Sequence, residues 1–459
     1  MILLRELGKG LPRRRWGGYP FAAAAVASNQ LDARGVNPVE WLVVKESFLF
    51  RFIGPWRRRH LAFVLAFVLL PGVKVANAAS GESLSEAVAA TFREQAKLAP
   101  IDGATGDNFG FSVSLSGNRA LIGAYSTDEN GANSGSAFIF GFDGTTWSQE
   151  AKLLPSDGAA GDFFGGHVSL SGNRALVGAS YKGDSFGDNG AAYVFVFDGT
   201  NWKQEAKLIN SDNGFLDRFG ESVSLSGTRA LISAPFHGTG VAYYFVLNGG
   251  TWVEQAQLTA DGGAAAINAV SLSGKRALLG AREIAPENAS YIFVYDGSSW
   301  TQEAKLTSGV PSDGFGLTVS LSGTHALISA SLDDAGAPNS GAAYIFGFDG
   351  ATWNQEARLT PADPKRNAMF GASVSLSGSR ALIGAAGARN ANDTSTGAAY
   401  LFASDGTSWI QQDKLTASDG EAFADFGSSV SLLGSRALIG APGDFVEGVQ
   451  SGSAYIFGR

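Results

Sequence analysis

Aspartate, arginine, histidine and tryptophan recur along this 459-residue chain at spacings that could serve chemistry. Asp102 with Asp107, Asp157 with Asp162, Asp212 with Asp217, and Asp419 with Asp425 fall in or near the pattern D-G-x-x-G-D-x-F-G. Such carboxylates could gather a cation; calcium, for instance, takes six to eight oxygen ligands. An Asp beside Gly also closes turns by accepting nearby backbone N–H groups. Recurrence in most copies favours the turn role, because a binding site uses a few repeats while a scaffold part appears in nearly all. A second column is basic: Arg119, Arg174, Arg229, Arg276, Arg380 and Arg436, with His325 in the same place. It could bind an anion as a ring of charge, but pairing with a neighbouring carboxylate or stacking on an adjacent repeat is the plainer expectation. Trp147, Trp202, Trp252, Trp300, Trp353 and Trp409 could be sugar platforms; each follows a turn, which favours packing between repeats. His167, His237 and His325 share no metal-ligand spacing, and the absence of cysteine excludes thiolate metal sites and cysteine nucleophiles. No catalytic residue, metal or cofactor is expected.

The elements that carry these residues form a repeat. The pentapeptide VSLSG, or a near copy, begins at Val113, Val168, Val223, Val270, Val319, Val374 and Val430, spaced by 55, 55, 47, 49, 55 and 56 residues. Each copy alternates apolar and polar residues, as a strand does, and ends in a Gly-containing turn. In the second unit, "RALVGA" and "AAYVFVF" give two further strands, Asp198-Gly199 turns the chain, and "NWKQEAKL" gives a fourth. The array opens with a fourth-strand sequence, Thr91 to Leu98, and ends with a third-strand sequence, Gly452 to Arg459. A closed ring explains both ends. The expected fold is all-β, a seven-bladed β-propeller of four-stranded antiparallel blades closed by the N-terminal strand.

These motifs resemble the FG-GAP repeats known from integrin α chains, and more closely a bacterial subgroup of them, over residues 92–459. The Phe-Gly pair stands at Phe109-Gly110, Phe164-Gly165, Phe219-Gly220, Phe315-Gly316, Phe370-Gly371 and Phe426-Gly427, while the fourth unit has Ile267-Asn268. The resemblance implies a propeller. Its calcium loops are missing, because the junction between the first two strands reads LSGNR or similar and offers no carboxylate.

Upstream, Arg57-Arg58-Arg59-His60, an apolar run from Leu61 to Leu70 and a small-residue stretch ending Ala76-Asn77-Ala78 have the three parts of a signal peptide. The expected organisation is an upstream extension over 1–55, from a start called too early, a signal peptide over 56–78, a linker over 79–91 and the propeller over 92–459. Residues 1–78 hold 12 basic and 4 acidic residues, leaving 22 basic and 38 acidic after them, a net −16. So acidic a body disfavours nucleic acid, and Pro71, Gly72 and Lys74 cut the apolar run too short for a membrane span. The loops joining second to third strands are long in units 1, 2, 5, 6 and 7 (125–135, 180–190, 331–341, 386–397, 442–452) and short in units 3 and 4 (235–240, 282–289). Variable loops on a rigid scaffold are where binding is expected. The candidate contacts there are Asp128, Asp184, Asp188, His237, Asp333, Asp334, Asp393 and Asp444. The expected function is a non-enzymatic recognition or adhesion scaffold, secreted, periplasmic or at the cell surface, that binds a protein or glycan. The competing expectation is a secreted hydrolase or lyase acting on polysaccharide or lipid.

Overall fold

Short apolar-polar alternations bounded by Gly turns dictate strands that a ring must pair. A computed structural model of the chain describes residues 41–44, 48–51, 91–183, 189–212, 214, 216–261, 265–283, 288–311 and 313–459. Within it, seven four-stranded antiparallel sheets follow one another as the blades of a β-propeller. Blade 1 runs Ser112–Ser116, Arg119–Ala124, Ser136–Phe142 and Trp147–Leu153, and five further blades repeat that order. Blade 7 has three strands from the C-terminus, Ser429–Leu433, Arg436–Ala441 and Ser453–Gly458, and takes its fourth, Arg93–Leu98, from the start of the array. This closing strand pairs Leu98 with Ala454 and Arg93 with Gly458, with a bulge between Glu94 and Ala96. The same bulge breaks the third-to-fourth strand pairing in blade 1, between Ile139 and Phe140.

The first strand of each blade lies beside the first strands of its neighbours, and the serines of VSLSG explain how that contact is held. The unpaired N–H groups on the free edge of a strand must find acceptors. The middle serine of each copy accepts the backbone N–H of the corresponding leucine in the next blade: Ser114 from Leu170, Ser169 from Leu225, Ser224 from Leu272, Ser271 from Leu321, Ser320 from Leu376, Ser375 from Leu432 and Ser431 from Leu115, all at 2.9–3.0 Å. The series returns to its origin and so closes the ring at its centre. In blades 1, 2, 4, 5 and 6 the last serine repeats the bond one step along, as from Gly172 to Ser116 at 2.9 Å. In blade 7 that position is Leu433, which can accept nothing.

Apolar residues on both faces of the blades pack into seven clusters, one between each pair of neighbours. Leu121, Ile139 and Leu153 of blade 1, for example, meet Phe164, Val168, Val177 and Tyr193 of blade 2. Phe92 lies in the cluster between blades 6 and 7, and Leu98 in the one between blades 7 and 1. The Phe-Gly pair is the peg of each unit. Phe109 is fully buried, with its ring 5.4 Å from Phe138 and 5.9 Å from Phe140. Gly110 has a φ of +96°, and a Cβ there would stand 2.2 Å from the carbonyl oxygen of Ser453. Only glycine fits. In the fourth unit Ile267 takes the buried place of Phe, inside a longer first strand, Ala265–Ser273.

The chain divides into two compact units, Met1–Ser83 and Leu84–Arg459. In the first unit the described residues form a hairpin, Trp41–Val44 with Phe48–Arg51. The proposed signal peptide, 56–78, lies outside the described residues, as do Asp184 and Asp188. Among the described residues no helix is long and apolar enough to cross a membrane.

Candidate functional site

The ring has two unlike faces. On one, the loops between second and third strands of blades 1, 2, 5, 6 and 7 are bonded to the connection that enters the next blade: Phe163 and Phe164 donate backbone N–H groups to the carbonyls of Asn133 and Ser134, and Phe109 donates to that of Ser451. The tight SGNR-type turns lie at the other ends of these strands, on the opposite face.

On the loop face the recurring aspartates serve the scaffold. Asp157 accepts the Tyr193 hydroxyl at 2.7 Å and the Lys207 ammonium at 2.6 Å. Asp363 does the same with Tyr400 at 3.0 Å and Lys414 at 2.6 Å, and Asp419 with Tyr455 and Lys97 at 2.7 Å each. Burial acts to raise the pKa of Asp157, but the bonds from Lys207 and Tyr193 outweigh it and hold the group below its ordinary value. The second aspartate turns inward in three of the four pairs, as Asp107, Asp162 and Asp217; Asp107 accepts the N–H of Ala104 and Asp162 that of Ala159, each at 2.7 Å. Desolvation leaves Asp107 raised above its ordinary value.

The six candidate contacts among the described residues do not converge. Asp333 is buried, accepting the Tyr344 hydroxyl at 3.0 Å and pairing with Arg358; burial and the adjacent carboxylate push Tyr344 up to about 12. Asp444 is buried as well, bonded to Ser453, Tyr455 and Lys97. Asp128 and Asp334 shape their own loops by accepting the N–H groups of Asn133 and Asn339 at 2.8 Å. His237 bridges Asp217, 2.9 Å from Nδ1, and Asp212, 3.0 Å from Nε2. Asp393 is open, with its carboxylate 83% exposed and Arg389 3.6 Å away. Among the described residues no hydrogen bond or ion pair joins any two of the six, and no group of three or more His, Asp and Glu side chains is placed to hold a metal ion.

The structure instead assembles an aromatic stripe on the same face. Phe111 packs against Tyr125 (ring centroids 4.5 Å apart), Tyr125 against Phe163 (5.7 Å) and Phe163 against Tyr181 (5.0 Å). The Arg218 guanidinium lies 4.4 Å from the Tyr181 ring and 5.0 Å from that of Phe236. Phe111 and Phe236 are 40% and 54% exposed. These six side chains cross blades 1 to 3 at the ends of the two inner strands. Phe163 and Arg218 precede the Phe-Gly pair and have positive φ, 51° and 53°, which turns them out of the interblade core. Most other exposed large apolar residues, among them Ile101, Leu332, Met369, Phe423 and Phe445, also lie in loops of this face. Sequence reasoning missed the stripe because its members sit at four different places in the repeat.

On the turn face, the basic column and the tryptophans pair across blades. Arg119 holds Glu150 through two bonds of 2.7 Å, and its guanidinium lies 4.1 Å from the Phe197 ring of blade 2. Arg174 with Glu205 and Arg276 with Glu303 repeat the bidentate pair. Arg174 and Arg276 hold the pKa values of Glu205 and Glu303 below the ordinary range. The indoles of Trp252 and Trp353 donate to these same carboxylates, Glu205 and Glu303, at 2.9 and 2.8 Å. The arginines therefore stack and pair, and the tryptophans pack between blades.

The signature described as FG-GAP repeat matches residues 92–140, 147–195, 202–245, 300–346, 353–402 and 409–457. Each segment runs from one blade's fourth strand through the next blade's third, so the sequence repeat is offset by one strand from the blade. The match skips the fourth blade, whose Phe-Gly pair is replaced by Ile267-Asn268. No curated protein matches the chain.

Proposed function

Because the chain belongs to the FG-GAP repeat family, we propose that it is an exported recognition scaffold that docks a protein or glycan on the loop face of its propeller. The observation that carries this reading is the stripe from Phe111 to Phe236. A rigid β ring has no structural need for six linked aromatic and arginine side chains at its surface, and Tyr, Trp, Phe and Arg are the residues that dominate binding energy in interfaces. The long loops beside it, together with the open Asp393, supply a polar rim. Export rests on the basic, apolar and small-residue segments between Arg57 and Ala79.

The test is a screen of the full chain against surface glycans and envelope proteins, followed by substitution. Phe236→Ala and Tyr181→Ala are each expected to weaken the partner about tenfold or more, the range of an interface hot spot. Trimming the exposed tip of the 386–397 loop, residues 389–393, is expected to reduce binding without unfolding the ring. A partner indifferent to these changes but lost on replacing Arg119, Arg174 and Arg380 would place recognition on the turn face instead.

A further inference from the structure

The junction between blades 5 and 6 on the turn face lacks both the arginine and the ring that covers the tryptophan. At the junctions after blades 1 and 4, a guanidinium is held between a carboxylate of its own blade and two rings of the next. Arg119 lies between Glu150 and Phe197 with Trp202, and Arg276 between Glu303 and Phe348 with Trp353, its guanidinium 4.2 Å from the Phe348 ring. Blade 5 keeps the carboxylate, Glu356, and blade 6 keeps the tryptophan, Trp409, but the arginine is replaced by His325 and the covering phenylalanine by Ser404. Ser404 pairs with Trp409 across the third and fourth strands, where Phe142 pairs with Trp147 and covers it at 5.3 Å.

The shorter side chains leave a space. His325 reaches Glu356 only at 3.4 Å, and its ring stands 6.3 Å from Trp409. A cleft of about 550 Å³ opens there, lined by His325, Glu356, Ser379, Ser404, Thr407 and Trp409. The Glu356 side chain is 40% exposed, against 24%, 18% and 17% for Glu150, Glu205 and Glu303, which hold their arginines.

We propose that this cleft is a guanidinium-binding site that accepts an arginine side chain from a partner polypeptide. The incoming group would repeat the geometry the chain builds for itself elsewhere: two N–H donors to Glu356, the cation over the face of Trp409, and the remaining donors toward the Ser404 and Thr407 hydroxyls. A carboxylate that can accept two parallel hydrogen bonds beside an uncovered indole favours a planar cation over a neutral ligand. The site is on the opposite face from the aromatic stripe and does not depend on it.

The probe is methylguanidinium, with methyl glucoside as the neutral comparison, added to full-length protein labelled with 5-fluorotryptophan. The Trp409 resonance is assigned by Trp409→Phe. Methylguanidinium is expected to shift that resonance saturably, and Glu356→Gln to weaken the response about tenfold, as loss of a bidentate charged acceptor does. His325→Arg restores the repeat's own guanidinium, so it should keep the fold and abolish the response, while Phe236→Ala on the other face leaves it unchanged. An absent shift, a response insensitive to Glu356→Gln, or a Trp409 shift with methyl glucoside alone would overturn the proposal.

Discussion

Whether a repeat carries glutamate or glutamine at one position decides what its arginine does. In blades 1, 2 and 4, Glu150, Glu205 and Glu303 hold the arginine of the same blade. Blades 3, 6 and 7 have Gln255, Gln412 and Gln95 instead, and there Arg229, Arg380 and Arg436 reach the turn carbonyls of Gly274, Gly434 and Gly117 in the next blade, at 2.8, 3.0 and 3.3 Å. The consequence falls on the following tryptophan. Trp202, Trp252 and Trp353 follow glutamate blades and donate to the carboxylate. Trp147 and Trp300 follow the glutamine blades 7 and 3, and their indole nitrogens are buried without a partner. Gln255→Glu should therefore recapture Arg229 and satisfy Trp300, raising stability by about 1 kcal/mol, the usual worth of one such bond. A urea midpoint that does not rise would show that Trp300 is satisfied otherwise. The basic column was legible in the sequence as a paired, stacked feature. Its two states were not, because Glu and Gln fill the same slot of W-x-x-(E/Q)-A-K-L with nearly equal shape, and only the partner across the blade distinguishes them.

At the scale of the strand, alternation predicted the elements and missed one of their uses. A Val-Ser-Leu-Ser run reads as one buried face and one wet face, yet the serines bond the next blade's backbone around the axis. No pattern within a single strand can show that, because the acceptor serves a neighbour about 55 residues away. The closing strand is the opposite case. Its sequence lacks the strands that should precede it, and this alone implied pairing with the incomplete C-terminal blade. Leu98 is buried like Leu153, its counterpart in blade 1. Leu98→Ala should then cost about 2–4 kcal/mol, as a buried Leu truncation does, and Leu153→Ala a similar amount. A silent Leu98→Ala beside a costly Leu153→Ala would mean that the ring stands open in solution. The cleft at His325 was half legible: His325 was visible as the odd member of its column, but Ser404 lies 79 residues on and only the adjacency of blades joins them.

Across the whole molecule, the aspartates of the loop face make stability depend on pH in two opposed ways. Asp107 and Asp313 are raised above their ordinary pKa, in each case first by desolvation. The folded chain therefore holds these protons more tightly than the unfolded one, and stability rises as pH falls from neutrality through their folded pKa values. Asp157, Asp212 and Asp419 are held below the ordinary value because their hydrogen bonds and ion partners outweigh the burial that opposes them. Their contribution is complete above the unfolded carboxylate pKa, about 4, and is lost as pH falls through the folded values below it. The acidic body adds to the first trend, since protonation relieves its net −16. His167 works against it: desolvation, opposed by Glu221, lowers its pKa, so below about pH 6.5 the unfolded chain gains a proton that the folded one resists. Blades 1, 3, 6 and 7 carry serine at this position, as Ser112, Ser222, Ser373 and Ser429, so His167→Ser fits the repeat and removes the opposing slope. In that variant the thermal midpoint should climb from pH 7 to a maximum at about pH 4–5 and then fall steeply below it. The unmutated chain should peak at higher pH. A midpoint that declines steadily from pH 7 in His167→Ser would mean that the buried aspartates carry no desolvation cost, and that the loop-face connections are more open to water than their packing implies.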